Sequence, residues 1–176
     1  MLTLVLGGAR SGKSRYAQSL VGNRQAIYIA TARRPSRDRD MLARIARHQA
    51  DRPASWITIE EPEAVPEAAS HARPPDAPIV VECVTLWLTN LLAREARTPP
   101  RRQQDVLLAE VRALAAVAVR RELIVVSNEV GGGIHPPTRL GRRFRDLQGW
   151  ANQILAAAAE RVVLVVAGLP ITLKGS

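Results

Sequence analysis

Eight consecutive residues, Gly7-Gly8-Ala9-Arg10-Ser11-Gly12-Lys13-Ser14, fit the spacing G-x-x-x-x-G-K-[ST]. Residues of these types in this order can grip a string of phosphates. Gly7 and Gly12 allow backbone angles that a Cβ would forbid, so successive N–H groups can turn toward phosphate oxygens. Lys13 brings a positive charge to the β- and γ-phosphates, and the Ser14 hydroxyl can ligate Mg²⁺. A helix read from Lys13 onward would add the attraction of its N-terminal dipole.

Acids and histidines supply the other candidate chemistry. Ile79-Val80-Val81-Glu82 reads as a strand ending in a carboxylate. Such an acid can hold Mg²⁺ directly or through water. The more usual residue is Asp, so Glu82 either reaches the metal with its extra methylene or serves another group; a partly exposed strand-end Glu is the bland alternative. Glu129 closes a second strand before the mobile turn Val130-Gly131-Gly132-Gly133, and a polar turn residue accounts for it equally well. His48 follows Met41 and Ile45 on the apolar stripe of a helix. It reads either as a half-buried histidine stabilised by the helix dipole or as a nucleophile whose neutral imidazole attacks phosphorus; spacing alone does not choose. His71 is expected in solvent; His135, between Ile134 and Pro136, has a site-facing reading, but the bland one is favoured. Three scattered histidines and Cys83 do not make a zinc site.

The elements that must position these residues alternate. Strand-like runs occur at Leu2–Leu6, Ala26–Ala30, Pro78–Glu82, Leu123–Ser127 and Arg161–Val166, with a weaker one at Trp56–Glu60. Helical patterns fill Lys13–Val21, Asp40–Ala50, Thr85–Arg94, Gln103–Arg121 and Thr138–Ala159, with a short one over Glu63–Ala72. The alternation predicts an α/β fold with a mostly parallel sheet and helices on both faces. Ligands of such sheets sit at the carboxyl ends of the strands. Arg33–Arg39 and Glu95–Arg102 read as exposed loops or lids. No repeat, linker or second domain is evident, so residues 1–176 are expected to form one domain.

Composition narrows the partners. The chain has 176 residues, 47% of them hydrophobic, and a net charge of +9 that comes from 23 arginines but only two lysines, Lys13 and Lys174. That balance suits anionic ligands, or else reflects an arginine-rich solvated surface. A single-strand nucleic-acid ATPase is disfavoured: such proteins stack bases on aromatics, whereas aromatics are 3% here and Trp56, Trp87 and Trp150 lie far apart in sequence. No nucleic acid is expected as a partner. One cysteine excludes an intrachain disulfide, and no apolar run approaches the roughly 20 residues of a membrane span. The Met1–Leu6 stretch runs into the cradle and does not read as a signal peptide. A soluble, cytoplasmic protein is the expectation.

Taken in order, GGARSGKSRYA (7–17), YIATA (28–32), RIARHQADRP (44–53) with Trp56 and Glu60, ECVTLWLTNLL (82–92), SNEVGGGI (127–134), FRDLQGWANQ (144–153) and AGLP (167–170) form a set. On these motifs the chain resembles, almost end to end, the bifunctional adenosylcobinamide kinase / adenosylcobinamide-phosphate guanylyltransferase family of cobalamin biosynthesis. The resemblance implies a RecA-like P-loop NTPase fold and two reactions. Adenosylcobinamide takes a γ-phosphoryl group from ATP or GTP; the phosphate formed then takes GMP from GTP through a guanylylated histidine. His48 falls on that histidine position, and Lys13 joins it as a catalytic residue. Nucleotide contacts are implied at Gly7, Gly8, Ala9, Arg10, Ser11, Gly12, Lys13 and Ser14, at Ala30, Thr31 and Ala32, at Gln49, Ala50, Asp51 and Arg52, and at Glu60 and Glu82. Ser14 and Glu82 are the implied Mg²⁺ ligands, and a homotrimer is implied. Because His48 stands about 35 residues beyond the cradle, its helix or flanking loops are expected to swing toward the nucleotide. His135 stands where the family commonly has Val, and the loop Arg33–Arg39 is more basic than the family pattern. A plain small-molecule P-loop kinase, with His48 structural, is the alternative.

Overall fold

A computed structural model describes residues 1–33, 42–43, 46, 49–50 and 52–175. Its centre is a sheet of seven strands: β1 (Leu2–Gly7), β2 (Ile27–Ala30), β3 (Ile57–Glu60), β4 (Ile79–Glu82), β5 (Leu123–Asn128), β6 (Arg161–Val166) and β7 (Leu169–Lys174). They lie in the order β3-β2-β4-β5-β1-β6-β7. All neighbours are parallel except β6 and β7, which are antiparallel. Five helices are described: α1 (Lys13–Val21), α2 (Val65–His71), α3 (Val84–Arg94), α4 (Pro100–Val117) and α5 (Arg139–Ala158).

The sequence reason for this arrangement is plain in β1. Every residue of LTLVLG is buried, as expected of a strand covered on both faces. Leu2, Leu4 and Leu6 face one core with Ile27, Ile29, Ile79, Val81, Leu123 and Val125; α2, α3, α4 and α5 pack there through Val65, Trp87, Leu107 and Leu147. The opposite face presents Val5, Tyr28, Val80, Ile124 and Val163, against which α1 sets Ala17 and Val21 and the loop before β3 sets Trp56. The mostly parallel α/β sheet with helices on both faces is therefore present, and the weak strand read at Trp56–Glu60 is β3.

Several boundaries differ. The run Glu95–Arg102 is not wholly a loop, because α4 begins at Pro100, a residue whose fixed φ suits the first helical position. The same helix ends at Val117, short of Arg121. The buried Arg121 guanidinium instead donates to the carbonyls of Ala72 at 2.9 Å and Pro74 at 3.1 Å, tying the chain after α2 to the end of α4. Strand β7 has no counterpart among the sequence-read strands: Pro170 argues against a strand interior, yet it is tolerated here because β7 is an edge. Of the helix expected over 40–50, Leu42, Ala43, Ala46, Gln49 and Ala50 are helical, and the rest lies outside the described residues. Most of the loop Arg33–Arg39 also lies outside them. Among the described residues no helix is long and apolar enough to cross a membrane.

Candidate functional site

Strand β1 ends at Gly7, flanked in register by Asn128 of β5 and Val165 of β6. The chain then loops through Gly8–Gly12 into α1. Arg10 and Gly12 both have left-handed backbone, with φ of 58° and 97°, and such alternation builds a concavity of N–H groups suited to an anion. The loop is held from behind. Ser11 N donates to Gly8 O at 3.3 Å, Tyr16 N to Gly12 O at 3.0 Å, and Gly168 N, from the β6–β7 turn, to Ser11 O at 2.8 Å. Gly7 must lack a side chain: a Cβ there would sit 2.7 Å from Val165 O. Gly8, Ala9 and Arg10 are exposed, and Lys13 Nζ donates to Gly8 O at 3.1 Å across the mouth.

The next strands bring the acid. Ala30 pairs in register with Glu82 on one side and Glu60 on the other, so the two glutamates stand at one level of the carboxyl edge. Glu82 is half-buried and Glu60 exposed. Ser14, on the first turn of α1, donates its hydroxyl to Glu82 Oε1. Tyr28 donates its own to Glu82 Oε2 at 3.1 Å. A hydroxyl and a carboxylate are hard oxygen donors of the kind Mg²⁺ accepts, with water and phosphate completing the shell. No group of three or more His, Cys, Asp or Glu that could hold a metal occurs among the described residues. Burial, reinforced by the Glu82 charge, raises the Tyr28 phenol well above its usual range. Burial likewise raises the Cys83 thiol.

Ala30 ends β2, and Thr31 and Ala32 follow it directly. Thr31 is buried and its side chain is committed: Oγ1 donates to Cys83 O and accepts from Cys83 N, both at 2.8 Å. Asn90 Nδ2 donates to Thr31 O at 2.8 Å and to Pro62 O at 3.0 Å. Thr31 thus clamps the end of β2 to the start of α3. Gln49 and Ala50 are exposed. Arg52 donates to Thr58 Oγ1 at 2.8 Å, and its guanidinium carbon lies 3.9 Å from the centroid of the Tyr28 ring. His48 and Asp51 lie outside the described residues.

Glu129 is exposed and accepts from Gly131 N at 2.6 Å, shaping its own turn. His71 is exposed in the last turn of α2. His135 is exposed, with Nδ1 3.0 Å from Arg145 Nη1. Sequence reasoning missed Tyr28. The available signal was the strand period: Tyr28 pairs with Val80, so Glu82 is its diagonal neighbour on the same face, within reach of a long aromatic side chain.

A family model described as cobinamide kinase / cobinamide phosphate guanyltransferase matches residues 3–173. The chain is 44% identical over 177 residues to the bifunctional adenosylcobalamin biosynthesis protein CobP of Pseudomonas aeruginosa, spanning 99% of this chain and 98% of that one. It is 41% identical over 183 residues to the protein CobU of Escherichia coli K12, which carries the same bifunctional description, spanning 99% and 100%. With CobU of Salmonella typhimurium LT2 the identity is 42% over 183 residues, at the same coverage.

Proposed function

The chain belongs to the cobinamide kinase / cobinamide phosphate guanyltransferase family, and from that premise we propose how one phosphate cradle serves both of its reactions. The protein is a bifunctional transferase of cobalamin biosynthesis. It phosphorylates cobinamide and then transfers a guanylyl group to the cobinamide phosphate. The finer reading is that the acceptor is adenosylcobinamide, that ATP or GTP gives the γ-phosphoryl group, and that GTP gives GMP by way of His48. The frame is a RecA-like P-loop fold in which residues 1–176 act as a single nucleotide-binding unit. A homotrimer is part of the proposal, tested by a light-scattering mass of three chains.

In the kinase step the cradle holds the β- and γ-phosphates while the cobinamide hydroxyl attacks the γ-phosphorus in line. Catalysis is chiefly positioning and charge stabilisation. Lys13 and the loop N–H groups meet the charge that develops on the leaving nucleotide. Ser14 and Glu82 would hold Mg²⁺, which when bound neutralises charge on the phosphate oxygens. In the second reaction the His48 imidazole attacks the α-phosphorus of GTP, a P–N bond forms, and the α–β P–O bond breaks with pyrophosphate leaving. An oxygen of the cobinamide phosphate then attacks that phosphorus and the P–N bond breaks. A protonated imidazole leaves more readily, so acid favours this half-reaction.

The observation that carries the reading is the direct contact of Ser14 with Glu82 beside the left-handed residues of the loop, which supports one triphosphate site with an oxygen pair suited to a metal. The experiment is incubation with α-³²P GTP and Mg²⁺, followed by denaturation. Acid-labile, alkali-stable label on the chain that His48→Ala removes is the expected result. A chain that stays unlabelled while making cobinamide-GDP would overturn the histidine route.

A further inference from the structure

Tyr28 belongs to no phosphate-binding pattern, yet it donates to the Glu82 carboxylate, as Ser14 does. The carboxylate accepts from Ser14 at Oε1 and from Tyr28 at Oε2. These contacts differ in what a metal would do to them. An ion shared by Ser14 Oγ and Glu82 Oε1 would take the place of the hydrogen bond between them. The Tyr28 bond uses the other oxygen and would persist. With only one anchor, a glutamate carboxylate pivots about its last side-chain bond, whose torsion is broad. An anchor at each oxygen fixes its plane.

The tyrosine is itself held. It is 4% exposed, on the sheet face that packs α1. Arg52 stacks on its ring at 3.9 Å, and the Trp56 ring lies 6.4 Å away at a 35° tilt. Its hydroxyl donates to the Glu82 carboxylate, which also accepts from the Ser14 hydroxyl on α1.

We propose that Tyr28 is a positioning residue for phosphoryl transfer, its hydroxyl holding Glu82 in the one orientation that presents Oε1 to a metal shared with Ser14. This rests on the reading of Ser14 and Glu82 as the metal pair. Outer-shell donors of this kind typically change metal affinity by about 10- to 100-fold; with one neutral donor the expectation is at the low end.

The test is Mn²⁺ binding followed by electron paramagnetic resonance, with α,β-methylene GTP as the nucleotide and no acceptor present. It compares the unmodified protein, Tyr28→Phe, Glu82→Gln and the double variant. Tyr28→Phe keeps the ring that Arg52 and Trp56 contact; Glu82→Gln probes the same contact from its other end. Expected are about tenfold weaker Mn²⁺ binding in Tyr28→Phe, nucleotide affinity without metal unchanged, and a double variant no weaker than Glu82→Gln alone. If Glu82→Gln weakens binding and Tyr28→Phe stays within twofold of the unmodified protein, the positioning role is overturned and the metal pair stands. Should Glu82→Gln itself leave binding unchanged, the metal pair is wrong and the proposal goes with it. Losses that simply multiply in the double variant would show that Tyr28 acts on the fold and not through Glu82, which also overturns it.

Discussion

Replacing Lys13 by alanine separates a shared cradle from two independent sites. The substitution is nearly silent for folding: Lys13 Nζ makes an exposed hydrogen bond to Gly8 O at 3.1 Å, and a bond of this sort contributes about 0.5–1.5 kcal/mol net. For a chain of this length that corresponds to no more than a few degrees in Tm, at roughly 2–4 °C per kcal/mol. The chemical cost is larger. Removing one preorganised donor from a developing oxyanion lowers turnover by about 10²–10³, or about 2.7–4 kcal/mol. The assay follows two labels on one preparation: γ-³²P transfer to cobinamide, and α-³²P transfer to cobinamide phosphate, with a thermal melt alongside. Both rates should fall by a similar factor while the melt barely moves. A variant that lost the kinase and kept guanylyl transfer within threefold would refute the single cradle, and a collapse of the melt would show that the lysine had been misread as a surface group.

His48→Ala should abolish transfer of α-label to cobinamide phosphate and leave phosphorylation of cobinamide measurable, since in the proposed mechanism no part of the first reaction passes through the imidazole. A second expectation concerns pH. Arg24 grips Glu122 with both terminal nitrogens, at 2.6 and 2.8 Å, and this pairing lowers the Glu122 carboxyl below its usual 4.5 against an opposing push from burial. The stabilisation is therefore present above the unfolded value and lost as pH falls through the lowered folded one. With Arg24 half exposed, solvent screening limits the pair to about 1 kcal/mol or less. Melts of the unmodified protein and Glu122→Gln should differ by a few degrees at neutral pH and converge in acid; a gap that widened in acid would contradict the assignment.

The sheet was legible in the sequence because its central strands are buried on both faces and read as unbroken apolar runs. LTLV and IVVE admit few alternatives, and α1 begins at Lys13, as the phosphate-binding spacing requires. The edge was not: LPITLK alternates, but its proline argues for a turn, and only the absence of a further neighbour on that side lets the missing N–H go unnoticed. The site was legible by residue type and not by contact. Ser14 and Glu82 are 68 positions apart, and nothing local says that β4 is separated from β1 by β5 alone. Thr31 adds a role that its motif does not announce, since its hydroxyl pairs with the Cys83 backbone across 52 positions.

One cradle can serve two bond cleavages because both leave charge on the same phosphate. In phosphoryl transfer the β–γ bridging oxygen departs with the β-phosphate; in guanylyl transfer the α–β bridging oxygen departs with the β-phosphate as part of pyrophosphate. If Lys13 and the loop amides hold the β-phosphate, as proposed, they meet the new charge in either case. On the proposed mechanism, in-line attack would put the two nucleophiles at opposite ends of the triphosphate, cobinamide beyond the γ-phosphorus and His48 beyond the α-phosphorus, so neither would have to vacate the other's approach. Bridge-substituted nucleotides read this directly. GTP with an imido group between β and γ should still guanylylate the chain, releasing imidodiphosphate, while failing to phosphorylate cobinamide. GTP with a methylene group between α and β should phosphorylate cobinamide and leave the chain unlabelled. If each blocked both reactions while binding as tightly as GTP, the two steps would share more than the grip on the β-phosphate, and the argument from a common leaving charge would fail.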